Sequence, residues 1–408
     1  MIHKFLLFGF LISFSAFSFA QKTSKAYAIT GQSNGNFNWS DIREIDLSTG
    51  KVAKTIFESG KTKFSFETSL AKQKINSGDN NSLPTQSMVA AAAYDRKHDK
   101  LFFTPMKIGE LRWLDLSSKP GDQKFYAVQD QLIKTGDLND EANQITRMVI
   151  GADGNGYAIS NDANHLISFS TGKKIVITDL GNLVDAQSNN GISIHNKCSS
   201  WGGDLVADAY GKLYLFSAPQ NVFVIDVQSR EAKYLGHIKN LTPTFTVNGA
   251  AVVDEDNVAI SSANTFEGFY TLNMKDMNAV KINTAGQVYN ASDLANGNLL
   301  YQDKVRNEVG TAQLVQKETI GNNIISIYPN PVTGNQFKVT FDNARSGKYD
   351  IALTDVQGRL ITTRRVNINL AKQSETVQMK LKPAGGLYMV KVTNANKKSF
   401  FVDKIIID

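Results

Sequence analysis

At 408 residues the chain is too long for one ordinary core, so two domains, or a repeat array with an appendage, are expected. Hydrophobic residues at 42% and charged residues at 20% exclude a disordered chain, and 30 glycines against 8 prolines favour tight turns and β structure over helical bundles. The single cysteine, Cys198, excludes a disulfide framework and a cysteine-based zinc site, and the net charge of +6 is unevenly spread. Residues 21–323 carry 30 Lys and Arg against 32 Asp and Glu, whereas residues 324–408 carry 13 against 6. The large body lacks the basic stripe that nucleic-acid binding requires, so no nucleic-acid partner is expected.

The N-terminus comes first. Lys4 precedes an apolar run from Phe5 to Phe19 that is short for a bilayer span, and Ser18-Phe19-Ala20 places small residues three and one before a cut. This predicts a cleaved secretory signal over residues 1–20 with Gln21 as the mature N-terminus. A retained N-terminal anchor is the competing reading. No cysteine follows the run to carry a lipid, and no later stretch is apolar enough to span a membrane. Packing alone must then hold the mature protein together.

Five segments of the body share one grammar: a small apolar run, an Asp-centred turn, then an aromatic or aliphatic run. They are Val89 to Phe103, Met148 to Ile159, Leu205 to Phe216, Ala250 to Ile260, and Asn290 to Tyr301. Their turn residues Asp95, Asp153, Asp208, Asp254 and Asp293 lie 58, 55, 46 and 39 apart, a loose period near that of propeller blades. Third and fourth strands follow the first four copies. The fifth ends after two strands, with Asn298 to Tyr301 as its second, and the missing pair stands at the front as Asp41 to Leu47 and Lys51 to Phe57. N-terminal strands that complete the last blade would close a ring without exposed edges. An all-β propeller of about five blades over residues 21–323 is therefore expected, with a two-sheet sandwich and a six-bladed ring as alternatives. The phrase Ile45 to Lys51, with its analogues around Asp115 and Asp226, resembles secreted bacterial β-propellers of the NHL and quinoprotein-like type.

Long connections from the fourth strand of one blade to the first of the next, about 58–87, 129–144, 181–203 and 239–247, mark one face as functional. The first residues of each inner strand point to the channel mouth on that face. Gln86, Arg147, Trp201, Asp204, Asn248 and Asn290, with His195 and Cys198 from a loop, are the candidate ligand site. Capping and solvation of a funnel is the plainer role for the same positions. Trp201 suits stacking on a sugar.

Linear catalytic motifs are missing, and an enzyme is not the favoured reading. Gly151 to Gly156 has the wrong spacing for a nucleotide loop, and no bidentate Glu follows Asp153 and Asn155 to complete a calcium loop, so a plain hairpin is preferred. His98, His165 and His237 read as turn or surface residues. A Cys198–His195 thiolate lacks an orienting third group. Paired carboxylates, Asp204 with Asp293, remain open as an alternative in which the body is an extracellular hydrolase or lyase acting on polysaccharide. No cofactor and no metal is expected.

Residues 324–408 read as seven short alternating strands, a small Ig-like β-sandwich. Tyr328-Pro329-Asn330-Pro331 opens it, Asp355 to Arg359 with Gly358 makes the central hairpin, Gly386-Leu387-Tyr388 begins a strand, and Lys404 to Ile407 ends it. This constellation closely resembles the C-terminal sorting domain of cargo for the type IX secretion system of Bacteroidetes, type A. The resemblance implies Sec export to the periplasm, then passage to the outer surface or medium using the tail as address, with the secretion machinery as partner. An ordinary accessory sandwich is the competing reading. The basic excess fits docking on an acidic surface, with Lys397, Lys398 and Lys404 as the expected contact, or a lysine-guarded strand edge. Overall, an exported propeller that binds a glycan or a protein at its long-loop face is expected.

Overall fold

The computed structural model describes residues 24–33, 35–75, 82–128, 130–284, 286–305, 324–342, 344, 346–355, 359–379, 383–394 and 399–407. The expected signal, Gly358, Lys397 and Lys398 lie outside the described residues.

Among the described residues, five sheets form the body. Blade 1 runs from an inner strand Ala291–Ala295 through Lys25–Thr30 and Asp41–Asp46 to Val52–Phe57. Blade 2 runs Val89–Asp95, Lys100–Pro105, Leu111–Asp115, Asp122–Val128, and blade 3 runs Ile145–Ile150, Gly156–Ser160, Leu166–Phe169, Ile177–Asp179. Blade 4 is Asp204–Ala207, Lys212–Phe216, Asn221–Asp226, Glu231–His237, and blade 5 is Gly249–Val252, Asn257–Ser261, Tyr270–Asn273, Asn278–Lys281. Each inner strand neighbours those of the two adjacent blades, and the inner strands of blades 5 and 1, then 1 and 2, complete the circle. The fold is an all-β, five-bladed propeller.

Alternation along the strands explains why the ring holds. Successive side chains face opposite sides of a blade, so a strand that is apolar throughout can pack on both neighbours. Phe103 packs toward blade 1 with Ile42 and Phe57, while Phe102 packs toward blade 3 with Met148 and Phe169. Similar wedges join blades 3 and 4 through Ile159, Leu205 and Phe223, and blades 4 and 5 through Phe216, Val258 and Leu272. Ala26, Ala28 and Ile45 meet Ala251, Ala259 and Phe269 in the last wedge, between blades 5 and 1. At the centre the small residues Ala92, Ala251 and Ala295 let the inner strands crowd together. They leave a void of about 10 Å³ there, hardly room for one water.

The closure corrects one expectation. Three N-terminal strands, not two, complete blade 1: Lys25–Thr30 pairs with Ala291–Ala295, setting Tyr27 against Ala295 and Ile29 against Asp293. Asn298 to Tyr301 is not its second strand. The side-chain amides of Asn296 and Asn298 both donate to the Val252 carbonyl at 2.9 Å, turning the chain out of its sheet. Leu300 then exchanges backbone bonds with Ala207 and Ala209 and is buried against blades 4 and 5. Two of the long loops also carry structure: Lys63–Thr68 and Val184–Asp185 add parallel outer strands to blades 2 and 4.

Among the described tail residues, Ile324–Tyr328, Gln336–Asp342 and Lys372–Gln378 form one sheet. Leu360–Ile368, Gly347–Asp355, Gly386–Asn394 and Ser399–Ile407 form the other. Phe337, Phe341, Ile351, Val390 and Ile405 fill the sandwich core between them.

Candidate functional site

In an antiparallel blade the connections from the second strand to the third, and from the fourth to the next blade's first, emerge on one side. Buried arginines build this face from beneath. Arg112 donates to Glu110 and to the carbonyls of Leu83 and Pro84, fixing the loop that holds the half-buried Gln86. Arg43 donates to Asp41 and to the carbonyl of Gly31.

The candidate residues separate into two groups. Arg147 and Asp204 are fully buried and Asn290 is 1% exposed, so none of these side chains meets solvent. Arg147 donates to the carbonyls of Ser160 and Asn161, and its burial pushes the guanidinium down to about 9. Asp204 accepts the backbone amides of Leu205 and Ala250 at 2.7 and 2.6 Å and that of Leu294 at 3.3 Å. Asp293 is equally buried, and neither of its oxygens meets a donor in bonding geometry. Burial raises the pKa of both carboxyls, and for Asp293 the neighbouring Asp204 raises it further. The two carboxyls do converge, but inside a closed axis. Arg147 and Trp201 make no ion pair or hydrogen bond with them among the described contacts.

Trp201, Asn248 and His195 belong to the outer group. His195 is held between the carbonyls of Asp162 and Leu183, at 2.6 and 3.1 Å from its two ring nitrogens. Its own carbonyl accepts the Trp201 indole N–H at 3.1 Å. His195 thus orients Trp201. Cys198 is exposed on the short helix Lys197–Ser200, which the Asn196 side chain caps, and its described bonds do not involve His195. Trp201 and Asn248 line one depression of about 830 Å³, open to solvent between blades 4 and 5, together with Gln220, Phe245 and Asn264. Lys197 and Glu141 stand at its rim, joined at 2.5 Å, with the Lys197 ammonium 5.0 Å from the Trp201 ring centre.

Asn248 and Asn290 act together on the loop between the second and third strands of blade 5. Asn248 Oδ1 accepts the Ala263 N–H at 3.0 Å, and the Asn290 amide donates to the Ala263 carbonyl at 2.8 Å. That loop presents Asn264 and Phe266. Phe266 meets Phe37 of blade 1 with ring centres 5.6 Å apart, and the two rings remain 40% and 49% exposed. Both phenylalanines escaped the sequence reading. Two exposed aromatics in Asn-rich loops were the available signal, in Asn36-Phe37-Asn38 and Asn264-Thr265-Phe266.

Elsewhere the turn over Gly151 to Gly156 is a hairpin. Asp153 accepts from the Asn155 backbone and side chain and from the Tyr157 hydroxyl, and a Cβ on Gly156 would strike Phe169.

The tail draws its four motifs to one end. Asn330, between Pro329 and Pro331, donates its side-chain amide to the Lys404 carbonyl at 3.1 Å and accepts the Ile406 amide at 2.8 Å. Leu387 pairs with Ile406 and Tyr388 with Ile405, while Tyr388 also sits opposite Asp355. Asp355 in turn accepts from the Arg359 backbone and guanidinium, at 2.9 and 2.6 Å. Tyr328, Leu387, Ile406 and Lys404 are exposed there.

Propeller and sandwich together define a modular all-β protein whose tail is a compact unit of its own pattern. Residues 326–408 match the family described as "Secretion system C-terminal sorting domain", so the tail is a type IX sorting domain. That domain directs secretion to the cell surface or extracellular space and implies interaction with the secretion machinery. No helix among the described residues is long and apolar enough to cross a membrane.

No curated protein matches the chain in sequence. Among solved structures the chain is similar to PorZ, a surface component of the type IX secretion system of Porphyromonas gingivalis. The identity is 15% and the TM-score 0.32, over 92% of this chain and 51% of that one. The chain therefore spans about half the length of that relative. It is also similar to the Pseudomonas aeruginosa periplasmic gluconolactonase PpgL, at 9% identity and TM-score 0.32, over 94% of this chain and 97% of that one. A virginiamycin B lyase from Staphylococcus aureus matches at 10% identity and TM-score 0.28, over 78% of this chain and 83% of that one.

Proposed function

We propose that this chain is an exported binding protein whose propeller captures an extracellular glycan or protein on its long-loop face. In this reading residues 1–20 are a removed signal, residues 21–323 carry the binding function and residues 324–408 deliver it. The observation that carries the reading is the open depression of about 830 Å³ holding Trp201 and Asn248. A concave site with an aromatic wall and a few amides suits capture of a ligand with apolar and hydrogen-bonding faces. The carboxyl pair offers no comparable support for hydrolysis, because both groups are sealed from solvent.

The test is incubation of the purified secreted chain with a panel of polysaccharides, host glycans and surface proteins, reading both retention and released products by mass spectrometry. Retention without products, lost in Trp201→Ala, is the expected result. Released fragments that disappear in Asp204→Asn would overturn the binding reading in favour of catalysis.

A further inference from the structure

We infer that the ligand is a neutral glycan chain that runs from the Trp201 depression across the Phe37–Phe266 pair, occupying both as successive subsites of one cleft. The inference rests on the binding role proposed above and adds to it the chemical class and length of the ligand.

Continuity comes from one loop. Asn264 lines the depression and Phe266 forms the aromatic pair, and two residues of extended chain span at most about 7 Å. The loop does not swing freely. Asn248 and Asn290 hold Ala263, and the Asn264 amide donates to Thr246 at 3.0 Å. Phe37 comes from the second blade-1 loop, where the Asn38 N–H is held by the Asn36 side chain at 2.7 Å. Two phenylalanines that are almost half exposed and touch each other are poorly placed as core. They form a fixed apolar step at the edge of an amide-lined hollow.

Charge decides the class. The rim charges Lys197 and Glu141 neutralise one another at 2.5 Å. Glu267, beside Phe266, has one oxygen on the Thr242 hydroxyl at 2.8 Å and the other on the Tyr270 hydroxyl at 2.9 Å. The loop from Gly31 to Ser40 contains no charged residue. Among the described residues lining the depression, Lys197 is paired with Glu141 and His237 shares Asn221 Oδ1 at 3.2 Å, so a ligand carrying several carboxylates or sulfates meets no cluster of cations. The nearby carboxylates Glu141 and Glu267 are both hydrogen-bonded. Pyranose rings instead present C–H faces to Trp201 and the phenylalanines, and hydroxyls to amides that both donate and accept.

The test titrates the full secreted chain with neutral hexasaccharides and disaccharides of glucose, mannose, xylose and N-acetylglucosamine, with galacturonic acid oligomers as the charged set. Wild type is compared with Trp201→Ala, Phe37→Ala and Phe266→Ala. Both phenylalanines are exposed, so thermal melts should be unchanged and losses of affinity interpretable. A neutral hexasaccharide is expected to bind about tenfold more tightly than its disaccharide, a difference of about 1.4 kcal/mol. Phe37→Ala and Phe266→Ala should erase that length dependence while leaving disaccharide binding intact, and Trp201→Ala should weaken both. Length-independent binding, preference for the charged oligomers, or no effect of the phenylalanine variants would overturn the extended cleft, while Trp201-dependent capture of any ligand would leave the binding role standing. Failure of every glycan together with Trp201-dependent capture of a protein would overturn the glycan assignment alone. Loss of both would remove the binding role as well.

Discussion

Asp204 reaches from the inner strand of blade 4 and takes the backbone N–H of Ala250, on the inner strand of blade 5, at 2.6 Å. The same oxygen lies 3.3 Å from the Leu294 amide of blade 1, so one carboxyl ties three blades at the axis. Removing it orphans buried amides that no water reaches, at about 1–3 kcal/mol for each group left unpaired. Asp204→Ala is expected to destabilise the propeller by roughly 3–5 kcal/mol, whereas Asp204→Asn, which keeps an acceptor at the site, should cost less than half as much. Chemical denaturation of the two variants checks this. Equal losses would mean that the carboxyl fills space and does not stitch strands.

Asp293 sets a pH dependence. Burial raises both carboxyls, but Asp204 accepts three backbone N–H groups that offset part of it, while Asp293 meets no donor in full bonding geometry and is raised further by Asp204, so the proton of the pair is assigned to Asp293. Its folded pKa lies above the ordinary 3.8, so the folded state holds a proton that the unfolded chain releases. The stabilisation is complete below 3.8 and declines as pH rises toward the folded value. The slope reaches at most about 1.4 kcal/mol per pH unit for one proton. Asp293→Asn should remove this contribution, so wild type minus variant stability must fall with rising pH. A difference flat from pH 4 upward would sink the assignment.

Much of this architecture is legible in the chain before folding. The Asp-centred turns at Asp95, Asp153, Asp208 and Asp254 and the alanines at Ala91 to Ala93 and Ala250 to Ala251 mark four blades, whereas Asp293, expected in the fifth turn, lies inside the inner strand Ala291–Ala295. What the pattern misses depends on ring closure. Lys25–Thr30 follows the expected signal and lacks a turn Asp of its own, whereas Leu299-Leu300 has the apolar run of a strand but is buried without a sheet of its own. Polar residues at the tops of inner strands look exposed in sequence. In the ring, Arg147 and Asp204 are enclosed by neighbouring blades that no local pattern reveals. Phe37 and Phe266 likewise meet only because the first and last blades are joined.

Closure gives the next expected outcome. Lys25–Thr30 supplies the partner strand of Ala291–Ala295 and buries Ala26, Ala28 and Ile29 against both neighbouring blades. Deleting residues 21–30 should expose the edge of the last inner strand and two inter-blade wedges together. At roughly 25 cal/mol per Å² of apolar surface, opening two wedges costs a large share of the 5–15 kcal/mol that holds a typical domain. The measurement is a thermal melt of the propeller, which should lose its cooperative transition. A retained sharp transition would show that four complete blades close without the fifth.

The sorting domain offers a separable prediction. Ser399–Ile407 pairs along Gly386–Asn394, its Ile405 and Ile407 are buried in the sandwich core, and the Asn330 side chain binds its backbone at Lys404 and Ile406. Removing residues 399–408 therefore deletes core and motif contact at once, while Asn330→Ala deletes only the contact. The truncation is expected to abolish delivery to the surface or medium, leaving the chain inside the outer membrane with its propeller folded. Asn330→Ala should reduce delivery without unfolding the tail, since backbone pairing between Val332 and Ile406 persists. Cell fractionation with limited proteolysis of the retained protein reads both effects. Full export of the truncated chain would show that the last strand is not part of the address.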